Sequence, residues 1–205
     1  MSVVLDKPTI EAVRATGKRF YDENNVIEDA LTRLFGHYPK NTEAADVLLK
    51  VITLNDLYST QIPLYGNRIP TVYEVVDHIV KRRIDSDLDL GSTDLVYDIA
   101  RTDIHNKIHF NYSFATKYCS WHRQDLFPIY DSHVDEYLWY SQDRGWIDSF
   151  KREELKIYKR LKEIITEFRD RYSLQEFSYK QIDAFLFLEG GKLLTAKDKE
   201  KQPAA

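Results

Sequence analysis

An all-α fold is predicted from three observations. Glycine and proline are scarce, seven and six among 205 residues, which disfavours a turn-rich β-sandwich. Apolar residues recur at helical spacing in several stretches bounded by capping or breaking residues. Hydrophobic residues make up 43% of the chain, enough for a packed core in one domain or two small lobes.

Each element follows from its own residues. Pro8 to Asn24 reads as a helix, with Pro8 in its first turn and Ile10, Val13, Phe20 and Tyr21 on its apolar face. Val26 to Phe35 reads as a second, short helix, stopped near Gly36 and Pro39. Asn41 is placed as the N-cap of a third, Thr42 to Thr60, apolar enough to be central. Gln61 to Pro70 reads as a loop, Thr71 to Ile84 as a helix ending in Lys81-Arg82-Arg83, and Asp85 to Gly91 as an acidic loop. Ser92 or Thr93 caps a helix through Ala100. Arg101 to Tyr112 fits a hairpin, a short strand or irregular chain. Phe114 to His122 reads as helix, and Asp131 or Ser132 caps another through Tyr140. Lys151 to Tyr172 reads as one long charged helix, with Ile157, Leu161, Ile164, Ile165 and Phe168 as its stripe. Ser178 to Leu188 is a last short helix, and residues 192–205 a polar tail. The organisation expected is one helical unit over residues 1–191, two lobes meeting at a cleft, with its core motif at 112–140.

Composition narrows the function. The single cysteine, Cys119, rules out an internal disulfide framework and a cysteine-bound iron–sulfur cluster. It reads as a small buried residue. No apolar run approaches the roughly 18 residues of a membrane span, and the N-terminus lacks the basic start and apolar core of a signal peptide. These features point to a cytoplasmic protein. The net charge of −4 counts against nucleic-acid binding over the whole surface but leaves room for local basic patches. Lys81-Arg82-Arg83 is one such patch, and Arg101 with Lys107 another. Solvated helix ends account for both equally simply.

The chemistry concentrates in Ser113 to Trp139, SFATKYCSWHRQDLFPIYDSHVDEYLW. Lys117 lies among Phe114, Ala115, Tyr118 and Cys119. Burying it charged is costly, which favours a neutral, nucleophilic amine. Asp131 follows fourteen residues later, behind Phe127-Pro128-Ile129-Tyr130. Taken singly, Asp131 reads as a plain N-cap and Lys117 as a surface lysine with a buried stem.

Thr116-Lys117 and Pro128-Ile129-Tyr130-Asp131-Ser132-His133, in that order, resemble the helix-hairpin-helix DNA glycosylase superfamily. The 8-oxoguanine-type branch is the nearest in pattern. In that branch a Thr-Lys pair opens the second hairpin helix, and an aspartate begins a new helix, often as Asp-x-His. The resemblance spans roughly Thr42 to Trp139. Two departures stand out. Tyr112-Ser113-Phe114-Ala115 occupies the place of the family's Gly-x-Gly, where a non-glycine residue resists positive φ. The Lys-to-Asp spacing is also shorter than usual.

The resemblance implies a helix-hairpin-helix glycosylase-like, two-lobed helical bundle that excises a damaged or modified base, an oxidised purine or another modified base, with AP lyase activity. Lys117 would attack the sugar and Asp131 would stabilise the sugar's developing positive charge. Thr116, His133, Arg101 and Lys107 would contact DNA, and Asn55 would wedge into the base stack. The partner implied is double-stranded DNA, with no membrane, no cofactor, no metal and a monomeric protein. The alternatives are a DNA-binding or scaffold protein that retains the fold without the reaction, or an unrelated helical interaction module using Lys151 to Tyr172. His105 and His109 lack the glutamate of a zinc hydrolase, since Asn106 follows the first. His122 reads as packed or half exposed. Trp121, Phe127, Tyr130, Trp139 and Trp146 fit either a base pocket or a core, and Tyr58 and Tyr65 share that ambiguity.

Overall fold

The computed structural model describes residues 4–62, 71–104 and 107–201. Among the described residues the protein is predominantly helical, with nine α-helices and one two-stranded sheet. It divides into two compact units: Asn24–Phe127, and Met1–Glu23 with Pro128–Ala205.

Helix α1 (Ile10–His37) is one continuous element of 28 residues, where two were expected. Asn24 and Asn25 cost a helix only tenths of a kcal/mol each, roughly, and no proline interrupts the run. Gly17 lies inside α1 with nothing within 4 Å of where a Cβ would sit. Gly17→Ala is therefore expected to stabilise the protein by about 0.5–1 kcal/mol, read as a higher urea midpoint.

The Asn24–Phe127 unit continues with α2 (Ala44–Leu57), α3 (Val72–Arg82), α4 (Asp85–Leu90) and α5 (Asp94–Ala100). The antiparallel hairpin β1 (Arg101–Ile104) and β2 (Lys107–Phe110) and helix α6 (Tyr112–His122) complete it. Helix α3 buries Val72, Val75, Val76 and Ile79, the one-face spacing of an amphipathic helix. It packs on α2, while α5 packs on α6. Asp85–Leu90, expected as loop, is a short helix closed by Gly91 at φ 67°. That left-handed geometry costs glycine nothing. Helix α2 is capped at Glu43, because the expected cap, Asn41, is buried and bonded elsewhere.

The second unit contains α7 (Ser132–Asp143), a 3₁₀ turn over Arg152–Lys156, α8 (Tyr158–Arg171) and α9 (Tyr179–Lys201). The expected long helix from Lys151 breaks at Ile157, which is extended (φ −101°, ψ 102°) and heads α8. Ile157 is exposed, whereas Leu161, Ile164, Ile165 and Phe168 are buried as expected. Tyr137 packs edge-on to both Phe168 and Phe185 at the heart of this unit.

Residues 192–201, read from sequence as tail, continue α9; residues 202–205 lie outside the described ones. The helix runs through Gly190-Gly191 because α7 crosses there. A Cβ on Gly190 would stand 2.0 Å from the His133 carbonyl oxygen.

Candidate functional site

Lys117 projects from α6 and is 3% exposed. Ser113, Lys117 and Trp121 are spaced i, i+4, i+8 and so share one helix face. The Lys117 amine donates to Ser113 Oγ at 2.8 Å and lies 5.6 Å from the centre of the Tyr58 ring. Trp121 Nε1 donates to the Tyr58 hydroxyl at 3.2 Å. One aromatic side chain from the end of α2 thus covers the lysine and the tryptophan together. Ser113 to Ala115, standing for the family's glycine turn, are already the first turn of α6. The turn between α5 and α6 is made instead by the β-hairpin.

In the other unit, Asp131 is the N-cap of α7. Its Oδ1 accepts from the amides of His133 and Val134, both at 3.0 Å. A carboxylate there meets two otherwise unpaired amides and the positive end of the helix dipole. The His133 ring stacks on Phe187 with centroids 4.2 Å apart, and its Nδ1 lies 3.1 Å from the Phe187 carbonyl oxygen. Behind the cap, Tyr130 donates to Asp135 at 2.9 Å. Arg152 pairs with Asp135 and Glu136, and Lys197 reaches Glu136. Burial works to raise the Glu136 carboxyl, but the hydrogen bonds and charges of Lys197 and Arg152 hold it below its ordinary value.

Two of the expected DNA contacts have their polar groups engaged within their own unit. Asn55 is 8% exposed. Its side chain donates to the Ile62 carbonyl and accepts from the Ile62 amide and the Thr60 hydroxyl, at 2.8–2.9 Å. It staples a turn in which Ser59 and Gln61 hold positive φ, so it is a loop anchor and not a presented wedge. Thr116 is fully buried, with its hydroxyl donating to the Ser113 carbonyl. Arg101 and Lys107 are exposed at opposite ends of the hairpin. In the basic triplet, Lys81 pairs with Asp77 and Arg82 with Asp87 and Asp98. Trp121 and Phe127 are core residues of one unit, and Trp146 is buried in the other. Burial raises the Cys119 thiol far above its ordinary range. His105 and Tyr65 lie outside the described residues.

A strongly perturbed cation, Lys50, is one that the sequence reading passed over. Lys50 is completely buried on α2. Its amine donates to the carbonyls of Tyr38 (3.1 Å) and Lys40 (2.8 Å) and to Asn41 Oδ1 (2.7 Å). Burial pushes the amine down to about 8, against the pull of Asp85 and Asp46. At neutral pH it is an ammonium with its three donors placed. Asn41 Oδ1 also accepts from the Tyr118 hydroxyl at 2.6 Å, while Asn41 Nδ2 donates to Asp85 at 2.7 Å. His122 Nε2 lies 3.4 Å from the ammonium. Burial, and then the Lys50 charge, lower His122 to about 3. The ring is neutral at neutral pH. Beside this network is a cavity of about 400 Å³, lined in part by Phe35, Asp85, Asp89, Trp121, His122 and Arg123. The signal was available: Val47, Lys50, Val51 and Leu54 form one buried stripe, so Lys50 is a cation at a core position. Its chemistry is that of a clamp on the chain after α1.

Comparison with known proteins meets this division of the chain at one end, and begins earlier, within the Met1–Glu23 segment of the other unit. The family model described as HI_0787_N, N-terminal domain, matches residues 10–126, ending beside the Phe127 boundary of the unit that carries Lys50 and Lys117. A protein of Haemophilus influenzae (strain ATCC 51907 / DSM 11121 / KW20 / Rd), described as uncharacterized, is 33% identical over 188 residues. The alignment covers 85% of this chain and 87% of that protein. No solved structure matches. The protein belongs to the HI_0787_N family.

Proposed function

We propose that the protein is a DNA glycosylase of the helix-hairpin-helix type, with AP lyase activity, whose nucleophile is Lys117. Its substrate is duplex DNA carrying a damaged or modified base. The observation that carries the proposal is the Lys117 amine itself, sheltered from water on α6 and held by Ser113 Oγ beneath Tyr58. The Ser113 hydroxyl can accept from an ammonium or donate to a free amine, so it fixes Nζ in both protonation states. The motif order supports the same reading, since Asp131 heads the next helix.

The reaction follows from a positioned amine. The Nζ lone pair forms a bond to C1′ as the C1′–N bond breaks, and the base leaves with that electron pair and takes up a proton. Nζ loses a proton, the sugar ring opens with O4′ protonated, and a Schiff base forms. Loss of a C2′ proton then expels the 3′ phosphate by β-elimination. Asp131 is assigned the role of favouring the positive sugar.

Borohydride reduction on a duplex with one abasic site tests this. Wild type is expected to give a covalent protein–DNA band and Lys117→Gln none, with both variants equally folded. Asp131→Asn keeps a good N-cap and is expected to lower base release from a modified duplex by roughly a hundredfold or more. Duplex binding with no wild-type band would leave a DNA-binding protein without the reaction.

A further inference from the structure

The hairpin between α5 and α6 exposes two large apolar side chains side by side. Register places Arg101, Asp103, Ile108 and Phe110 on one face and Thr102, Lys107 and His109 on the other. Thr102 is buried, so the second face meets the body of its unit. The first face is open: Ile108 is 59% and Phe110 52% exposed. Two large apolar side chains on a two-stranded ribbon are costly to leave in water.

Phe110 is also held flat. Its ring lies nearly parallel to Tyr97 of α5 (23°, 6.0 Å between centroids) and to Tyr112 of α6 (5°, 5.8 Å). Tyr97 and Tyr112 are themselves 6.2 Å apart at 20°. The three rings are pairwise near-parallel and offset, with centroids about 6 Å apart, and Phe110 is the member open to solvent. Arg101 and Lys107 are exposed at the hairpin's two ends, and neither is ion-paired among the described residues. Asp103 is the single carboxylate on the open face.

We infer that this hairpin is the element that enters DNA at a disrupted base pair. Phe110, flanked by Ile108, stacks on an unpaired base, and Arg101 and Lys107 take backbone phosphates. An exposed aromatic ring with Arg101 directly across the ladder, and with Lys107 exposed at the hairpin's other end on its second face, pairs a stacking surface with cations for backbone phosphates. This inference rests on the DNA reading above and supplies the wedge that Asn55 does not provide.

The test is fluorescence anisotropy with full-length protein on an abasic-site duplex carrying 2-aminopurine opposite the abasic site, over a salt series. Phe110→Ala is expected to weaken binding about tenfold or more and to abolish the 2-aminopurine change seen with wild type. Phe110→Tyr, which keeps the ring, should restore both. Arg101→Gln with Lys107→Gln should lower the slope of log affinity against log salt by about 2. Equal melting curves establish that these exposed positions leave the fold intact. Wild-type affinity and an unchanged 2-aminopurine response in Phe110→Ala would overturn the hairpin assignment alone. Absence of any wild-type DNA binding would overturn it together with the glycosylase reading. Phe110-dependent binding without a Lys117 adduct supports the hairpin and overturns only the catalytic proposal.

Discussion

Gly190→Ala is expected to be destabilising, by about 1–2 kcal/mol net, where Gly191→Ala is neutral to slightly stabilising. The difference lies in what each added methyl meets. At Gly190 a Cβ would stand 2.0 Å from the His133 carbonyl oxygen, 2.7 Å from its carbon and 3.0 Å from its Cα. All three are backbone atoms in the first turn of α7, so α7 and α9 must move apart along their shared interface. Overpacking of this kind costs about 1–3 kcal/mol or more, and it exceeds the roughly 1 kcal/mol that alanine gains over glycine within a helix. At Gly191 the nearest atom is the His133 Nδ1 at 3.4 Å, a side chain at ordinary contact distance. Urea denaturation of the two variants measures the contrast. Equal midpoints would show that the helix crossing does not depend on the missing Cβ.

The second large effect is on acid stability and centres on His122. Its folded value is lowered to about 3 by burial and by the neighbouring Lys50 ammonium, whereas an unfolded histidine titrates near 6.5. Below that value the unfolded chain takes up a proton that the folded ring refuses. Stability is therefore fully present above about 6.5 and drains away as the pH falls toward 3. From pH 7 to pH 4 the loss attributable to this ring is roughly 3 kcal/mol. The groups facing the ring are Lys50, Phe35 and Tyr118, and a lysine remains charged in both states over this range. His122→Phe should therefore lose less stability than wild type between pH 7 and pH 4, by about that amount. Glu136 contributes in the same direction from the other unit but is common to both proteins and cancels. Parallel pH profiles for the two would place the acid sensitivity elsewhere.

Local rules made much of the helical order legible in the sequence. The valine–isoleucine stripe of α3, the apolar run of α6 and the Asp131 cap of α7 each depend on residues within one or two turns. What escaped depends on distant partners. Asn41 has a good capping side chain but spends it on Lys50, Tyr118 and Asp85. Gly190-Gly191 reads as a helix end until α7 is seen crossing over it. The break at Ile157 follows from a 3₁₀ turn in which the Lys151 amide donates to Glu154, and no stripe analysis reveals it. The site divides in the same way. For Lys117 the apolar neighbours allowed either a buried amine or a surface lysine with a buried stem, and the amine is buried. Asn55 was misread because its three bonds go to a turn five to seven residues ahead. Lys50 went unremarked because its acceptors lie in the chain after α1.

The measurement that tests the account most directly is mass-spectrometric mapping of the borohydride-reduced protein–DNA adduct. The chain offers two buried lysines with different surroundings in one unit. Lys117 donates to the Ser113 hydroxyl beneath the Tyr58 ring, and Lys50 is clamped by three oxygens. Modification confined to Lys117 is the predicted result. An adduct on Lys50, adducts scattered over exposed lysines, or no adduct on an abasic duplex that the protein demonstrably binds would contradict it.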